Sequence, residues 1–310
     1  MRIFLAEHNG VLDQPDLIFG TAWKMEFPMR RIAIINQKGG VGKTTTAVNL
    51  SAALAELGNR VCIIDLDPQA HASLHLGISV GTDQQSVYDC LTEDDVKLAD
   101  VRIQVEDNLF IVPAHIDLAA AEMELAGEVG REIILQDLIN QDDEEFDFIL
   151  IDCPPSLGVL TLNALTTAGE VFLPMQPHFL ALHGMSKLLR TIELVAQRLN
   201  PVLTLSGIVF CLFDGNTRLA NEVASDIEIY FENERQTNQK WLEAFSFESR
   251  IRRNVRLAEA PSFGQSILGY AGNSNGANDY RSLAMEVLEQ STLLPETADE
   301  PQEAILPVPK

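Results

Sequence analysis

Lys38-Gly39-Gly40-Val41-Gly42-Lys43-Thr44 constrains this chain more than any other stretch, because it joins a strand pattern to a helix pattern through a glycine loop. Upstream, Arg31 to Asn36 reads as a buried strand. Downstream, Lys43 to Leu57 carries helical periodicity that ends at Gly58. A strand, a glycine turn and a helix N-terminus together form an anion site, since amide groups and helix dipole face the same ligand. Gly42, Lys43 and Thr44 follow the phosphate-loop pattern G-x-x-x-x-G-K-[ST], but Gln37 stands where the first glycine belongs. Lys38 is then a second lysine in a loop that ordinarily needs one. A glycine turn without a ligand is the bland alternative, and the matching context on both sides weighs against it.

Beyond the loop, strand and helix patterns alternate, which predicts an α/β fold: a mostly parallel twisted sheet with helices on both faces. Val61 to Asp65, Phe146 to Asp152, Val171 to Pro174 and Leu203 to Phe213 read as further strands. Ala181 to Leu199, Arg218 to Phe231 and Asp279 to Gln290 read as helices. The 310 residues suffice for one large α/β domain, placed at 30–291. Residues 1–29 carry no clear period and end at Met29. They are either a loosely docked extension or lie upstream of the working start at Met29, which an intact mass would decide. Residues 292–310 are acidic and proline-bearing and read as a solvated tail. The acidic run Asp142 to Glu145 reads as a solvated loop.

A formal net charge of -23 excludes a uniformly basic nucleic-acid surface, so any DNA contact must come from a local patch. Cys62, Cys90, Cys153 and Cys211 include no C-x-x-C pair and read as reduced core thiols of a cytoplasmic protein. No apolar run is long enough to span a membrane, so no integral membrane association is expected.

The chemistry gathers at strand ends. Lys43 is positioned to neutralise terminal phosphate oxygens and Thr44 to hold Mg²⁺, because phosphoryl transfer depends on positioning and charge stabilisation. Asp152 closes an apolar strand just before Cys153-Pro154-Pro155-Ser156, where a carboxylate meets the metal or its water. A strand-ending aspartate is more often a simple cap, but beside a phosphate loop the metal role is preferred. Asp65 and Asp67 alternate at another strand end, where ligands of open α/β sheets bind. Asp67, one step further out, is the better candidate to orient the attacking water, leaving Asp65 to hold loop structure.

Four segments in order, Lys38 to Thr44, Asp65-Leu66-Asp67-Pro68-Gln69, Ile151 to Ser156 and Arg253 to Pro261, resemble the ParA/Soj branch of the ParA/MinD ATPases. The resemblance runs from about Arg30 to Leu288. It implies a Mg²⁺-dependent ATPase used in chromosome or plasmid partitioning that forms a homodimer when ATP-bound, with Lys38 reaching across to the partner's phosphates. It also implies catalytic roles for Lys38, Lys43, Asp67 and Asp152. Lys38, Gly39, Gly40, Val41, Gly42, Lys43, Thr44 and Thr45 would bind the nucleotide, Arg252 and Asn254 would lie by the adenine, and a ParB-like activator would speed hydrolysis.

Departures from the pattern are informative. Ala70-His71 replaces the Gly-Asn that usually follows Asp67-Pro68-Gln69, which predicts a stiffer loop. Arg252 replaces a proline ahead of the adenine segment. Asp214 to Arg218 exchanges arginine and asparagine, and residues 232–248 read longer and more polar than is usual. Arg218, Arg250, Arg253 and Arg256 form a basic cluster whose functional reading is non-specific DNA binding and whose bland reading is capping and ion pairing. His71 and His75 stand four apart, a metal-ligand spacing with no evident third ligand, and read as ordinary histidines. Two rival readings stay open: a positioning ATPase for a protein cargo, and an ATP-loaded switch with negligible turnover.

Overall fold

A computed structural model describes residues 29–178, 181–237 and 244–291. The expected N-terminal extension up to residue 28, the tail at 292–310 and part of the polar stretch after residue 232 lie outside these residues.

Among the described residues, seven strands form one sheet in the order β3-β4-β2-β5-β1-β6-β7. They are β1 (Arg30–Ile34), β2 (Val61–Asp65), β3 (Ile103–Glu106), β4 (Leu109–Val112), β5 (Phe148–Asp152), β6 (Glu170–Met175) and β7 (Thr204–Phe210). All neighbours run parallel except β3 and β4, which pair antiparallel at one edge. Parallel strands are covered on both faces, and β2 and β5 are accordingly buried at every residue. Because side chains alternate, Ile32 and Ile34 enter one core while Ala33 and Ile35 enter the other.

Helix α1 (Lys43–Glu56) crosses the first core and packs against α12 (Asn275–Ser291). It is rich in Ala, Ser and Thr and buried almost all round, as a helix wedged between a sheet and a second helix layer must be. On the opposite face lie α7 (Val159–Thr167) and α8 (Ala181–Arg198), whose apolar residues Leu160, Leu165, Leu188 and Ile192 join the second core. At the strands' N-terminal end, Arg30 donates two 2.7 Å bonds to Glu170 and one to the Val287 carbonyl, tying β1, β6 and α12 together.

The edge hairpin β3–β4 escaped the sequence reading because β3 is largely exposed with no apolar run in IQVE, and β4, though apolar and mostly buried, is only four residues long. The acidic run departs from expectation at one residue. Asp142 pairs with Arg102 with both side chains only 9% exposed. Two arginines stacked on Phe146 draw Asp142 out of solvent, while Asp143, Glu144 and Glu145 stay exposed as a solvated loop even where Glu144 contacts Arg60.

Candidate nucleotide site

In-register pairing brings the loop and the carboxylates to one rim. Ile34 of β1 and Asp65 of β2 are both register partners of Asp152 on β5, so the three strands end at the same level. Between β1 and α1 the chain turns through Gly40 at φ 71° and Gly42 at φ 101°, the left-handed region that a side chain disfavours. Gly42 is doubly constrained, because a Cβ there would stand 3.2 Å from both Cβ and Sγ of Cys211. Below it, Thr46 Oγ1 bonds the fully buried Tyr280 hydroxyl at 3.3 Å, which anchors the first turn of α1 to α12.

The loop opens on a cavity of about 520 Å³ lined by Gly39, Gly40, Gly42, Lys43, Thr44 and Thr45 on one side. Asp67, Gln69, His71 and His75 line the other. Val41, also expected in the loop, is buried and lines a different cavity with Lys38. Lys43 is 8% exposed and forms no ion pair among the described residues. Asp152 is fully buried, and neither of its carboxylate oxygens has a well-formed hydrogen bond. Burial raises its carboxyl well above the usual range, and the neighbouring Asp65 charge adds to this. The Thr44 hydroxyl and the Lys43 ammonium beside it offset only part of the shift.

Two orphaned carboxylate oxygens beside a threonine hydroxyl suit a hard divalent cation, which takes oxygen donors and offsets the burial of charge. The residues present therefore fit Mg²⁺, with Thr44 and Asp152 as the groups to hold it or its waters.

Asp65 and Asp67 divide as their spacing suggests. Asp65 is fully buried and accepts from Ser73 N and Oγ at 2.9 and 2.8 Å, and from Asp67 N at 3.2 Å. Burial pushes its carboxyl up to about 6 even so. Ser73 Oγ in turn accepts from Ala114 N, so Asp65 clamps the short helix α2 (His71–His75) onto the end of β4. Asp67 accepts from Gln69 N with one oxygen and lines the cavity. The missing glycine has a visible cost: Ala70 caps α2 at φ 52°, a left-handed conformation an alanine tolerates poorly.

Lys38 is exposed, and its backbone N–H donates to Asn36 Oδ1, while Asn36 Nδ2 holds the Pro174 carbonyl at the end of β6. Its ammonium does not line the phosphate cavity but meets His178 Nε2. Neither Arg252 nor Asn254 lines that cavity. Arg252 pairs with Asp279, and Asn254 Oδ1 caps α10 (Val255–Glu259) by accepting from Arg256 N.

The four arginines of the basic cluster are not equivalent. Arg218 pairs with Glu222, Arg256 with Glu259, and Arg250 with Glu228 while stacking over Phe210. Arg253 is exposed, and among the described residues its side chain has no ion partner. His71 and His75 both reach the cavity, but no group of three metal-ligating side chains exists among the described residues. The sequence reading passed over Ser73, Tyr280 and His178, and gave Cys211 no role beyond that of a core thiol. None sits in a motif, and only spatial neighbours give them meaning. All four cysteines are free and buried. No helix among the described residues is long and apolar enough to cross a membrane.

Residues 29–205 match the family described as AAA domain. The chain is 43% identical over 256 residues to the sporulation initiation inhibitor protein Soj of Bacillus subtilis, covering 83% of this chain and 97% of that protein. It is 42% identical over 259 residues to the chromosome-partitioning ATPase Soj of Treponema pallidum, covering 84% and 97%. Among solved structures it is similar to a Mycobacterium smegmatis protein described as cobyrinic acid a,c-diamide synthase with bound ADP and magnesium. That match has a TM-score of 0.70 and 36% identity over 85% of this chain and 96% of that one.

Proposed function

This chain belongs to the Soj/ParA family of chromosome-partitioning P-loop ATPases, and from that premise we propose that it hydrolyses ATP as a dimer whose formation the nucleotide controls. It is a Mg²⁺-dependent ATPase that converts ATP to ADP and phosphate. The working unit is residues 30–291 and its setting is the cytoplasm.

One observation carries the dimer reading. Of the loop's two lysines, Lys43 lines the phosphate cavity beside Asp152, whereas Lys38 is exposed and points away from it. One loop thus serves two nucleotides, Lys43 its own and Lys38 the partner subunit's. The glycine amides from Gly39 to Gly42 and the N-terminus of α1 bind the phosphates, and Lys43 neutralises terminal oxygens. When bound, Mg²⁺ would be held by Thr44 and Asp152 and would offset the charge that develops during transfer. Asp67 accepts from the lytic water and orients it in line, while Asp65 fixes the loop that carries Asp67. Hydrolysis removes the γ-phosphate contacts that favour the dimer, so turnover acts as a timer and the associated state as the output.

The output is DNA segregation, with a ParB-like activator completing the site and non-specific duplex DNA as the track. Arg253 is the best placed contact, since among the described residues its charge has no ion partner; Arg218, Arg250 and Arg256 join only by leaving their carboxylates. Asn254 is proposed at the adenine edge, and Arg252, tied to Asp279, is proposed there only as the buttress of that segment.

Lys38→Ala tests the reading in mixed dimers. It is expected to abolish ATP-dependent dimerisation while sparing nucleotide binding by the monomer; equal loss of both would sink the trans role. Duplex binding at low salt that is the same with and without ATP would remove the DNA arm.

A further inference from the structure

The lysine assigned to the partner's nucleotide is held, in this single subunit, by a side chain that takes no part in the phosphate cavity. Lys38 Nζ meets Nε2 of His178, three residues past the end of β6. Asn36 fixes the loop's first turn to the same segment through the Pro174 carbonyl at 2.8 Å, so the pair is bracketed by backbone on both sides. Lys38 and His178 both line a cavity of about 340 Å³ whose walls include Val41, Leu173, Met185 and Leu188. The apolar wall suits the lysine's methylene stem, and the imidazole meets its charged head.

The partner's chemistry is telling. The chain carries 45 aspartates and glutamates, yet among the described residues none forms an ion pair with Lys38. A carboxylate would grip the ammonium with a charge-assisted bond. An imidazole nitrogen that accepts from the ammonium offers only a single uncharged lone pair. That is a hold weak enough to release.

We propose that His178 is a positioning residue for Lys38: it keeps the lysine folded onto its own subunit until the partner's ATP takes it over. This rests on the trans role of Lys38. Dimer assembly must then break one Lys38–His178 contact in each subunit, which opposes association by the worth of about two hydrogen bonds.

The test measures the ATP-dependent dimer dissociation constant of the full chain by sedimentation, with monomer ADP affinity and melting temperature as controls. His178→Ala and His178→Phe, one deleting the ring and one keeping its bulk without the acceptor, are read together so that a folding defect in either leaves the other informative. Both are expected to tighten the dimer roughly 5- to 100-fold, the range of two ordinary hydrogen bonds, one per subunit, with monomer ADP affinity unchanged. His178→Gln restores an acceptor and is expected to return the constant to within about twofold of the parent. In a Lys38→Met background, which keeps the apolar stem but removes the ammonium, His178→Ala should leave the residual ATP-driven association unchanged. An unchanged or weakened dimer in both His178 variants overturns the proposal, as does the same tightening with and without the Lys38 ammonium. If Lys38→Ala itself leaves ATP-driven dimerisation intact, the trans reading has failed instead.

Discussion

The phosphate rim and the arginine segment are both rich in charge, and they treat it in opposite ways. At the rim, Asp152 is buried with both oxygens unbonded, Lys43 has no ion partner among the described residues, and His75 Nε2 is an orphan in the cavity wall. In the segment from Arg250 to Arg256, three of the four arginines already meet a carboxylate of their own chain. Unpaired buried polar groups weaken a fold unless a ligand completes them, while paired ones belong to the fold itself. Charge density alone would have ranked the two regions equally. Their pairing separates a site from a scaffold.

That contrast fixes the signs of substitutions. Asp152→Asn should cut ATP turnover by roughly 10²-fold or more, since a group that holds the metal is lost. The same change should stabilise the nucleotide-free protein at neutral pH by about 1–3 kcal/mol, because a buried carboxylate with no bonds is replaced by a neutral amide. Burial raises the carboxyl, so wild-type stability falls as pH climbs above the ordinary carboxylate range. The gain from the substitution should therefore vanish as pH falls toward that range, where the parent is protonated in both states. Urea midpoints at two pH values check it. A loss of stability at neutral pH would mean that the rim is not strained by its empty carboxylate.

His75 gives the next effect. Burial lowers its imidazole to about 4 from 6.5, so it folds as the neutral form. The linked stability is fully present above pH 6.5 and is lost as pH falls toward 4, because the unfolded chain binds the proton more tightly. His75→Leu should flatten the acid limb of the stability profile between those values by up to about 3 kcal/mol. A profile parallel to the parent's would show that His75 is solvated in the cavity.

The smallest effect lies on the arginine side and has the opposite sign. Arg252→Ala removes the partner of Asp279, whose side chain is 9% exposed, and should destabilise the protein by about 1 kcal/mol with little change in monomer nucleotide affinity. A selective loss of ATP binding would instead move Arg252 from scaffold to site.

Much of this molecule was legible without coordinates. The phosphate loop is a local object: its glycines, Lys43 and Thr44 are consecutive, and the flanking strand and helix periods place them. The long parallel strands showed as apolar runs because both their faces are buried. β3 did not show, since an exposed edge strand needs no apolar pattern, nor did β4 with only four apolar residues, and the burial of Asp142 was hidden because Arg102 lies 40 residues away in sequence. Asp65 and Asp67 could be ranked from alternation alone, but the clamp on Ser73 depends on a helix folding back over the strand end.

The sequence by itself determined the fold class, the nucleotide loop and the identity of the charged groups, because backbone periodicity and loop chemistry act over a few residues. Tertiary structure alone decided which of those charges are spoken for: Asp152 meets Asp65 only because β2 and β5 are neighbours in register, and Arg252 meets Asp279 across the fold. Desolvation and ion pairing depend on distance in space. Lys38 carries both lessons, since its place in the loop is written in the chain and its rest on His178 is set by the end of β6.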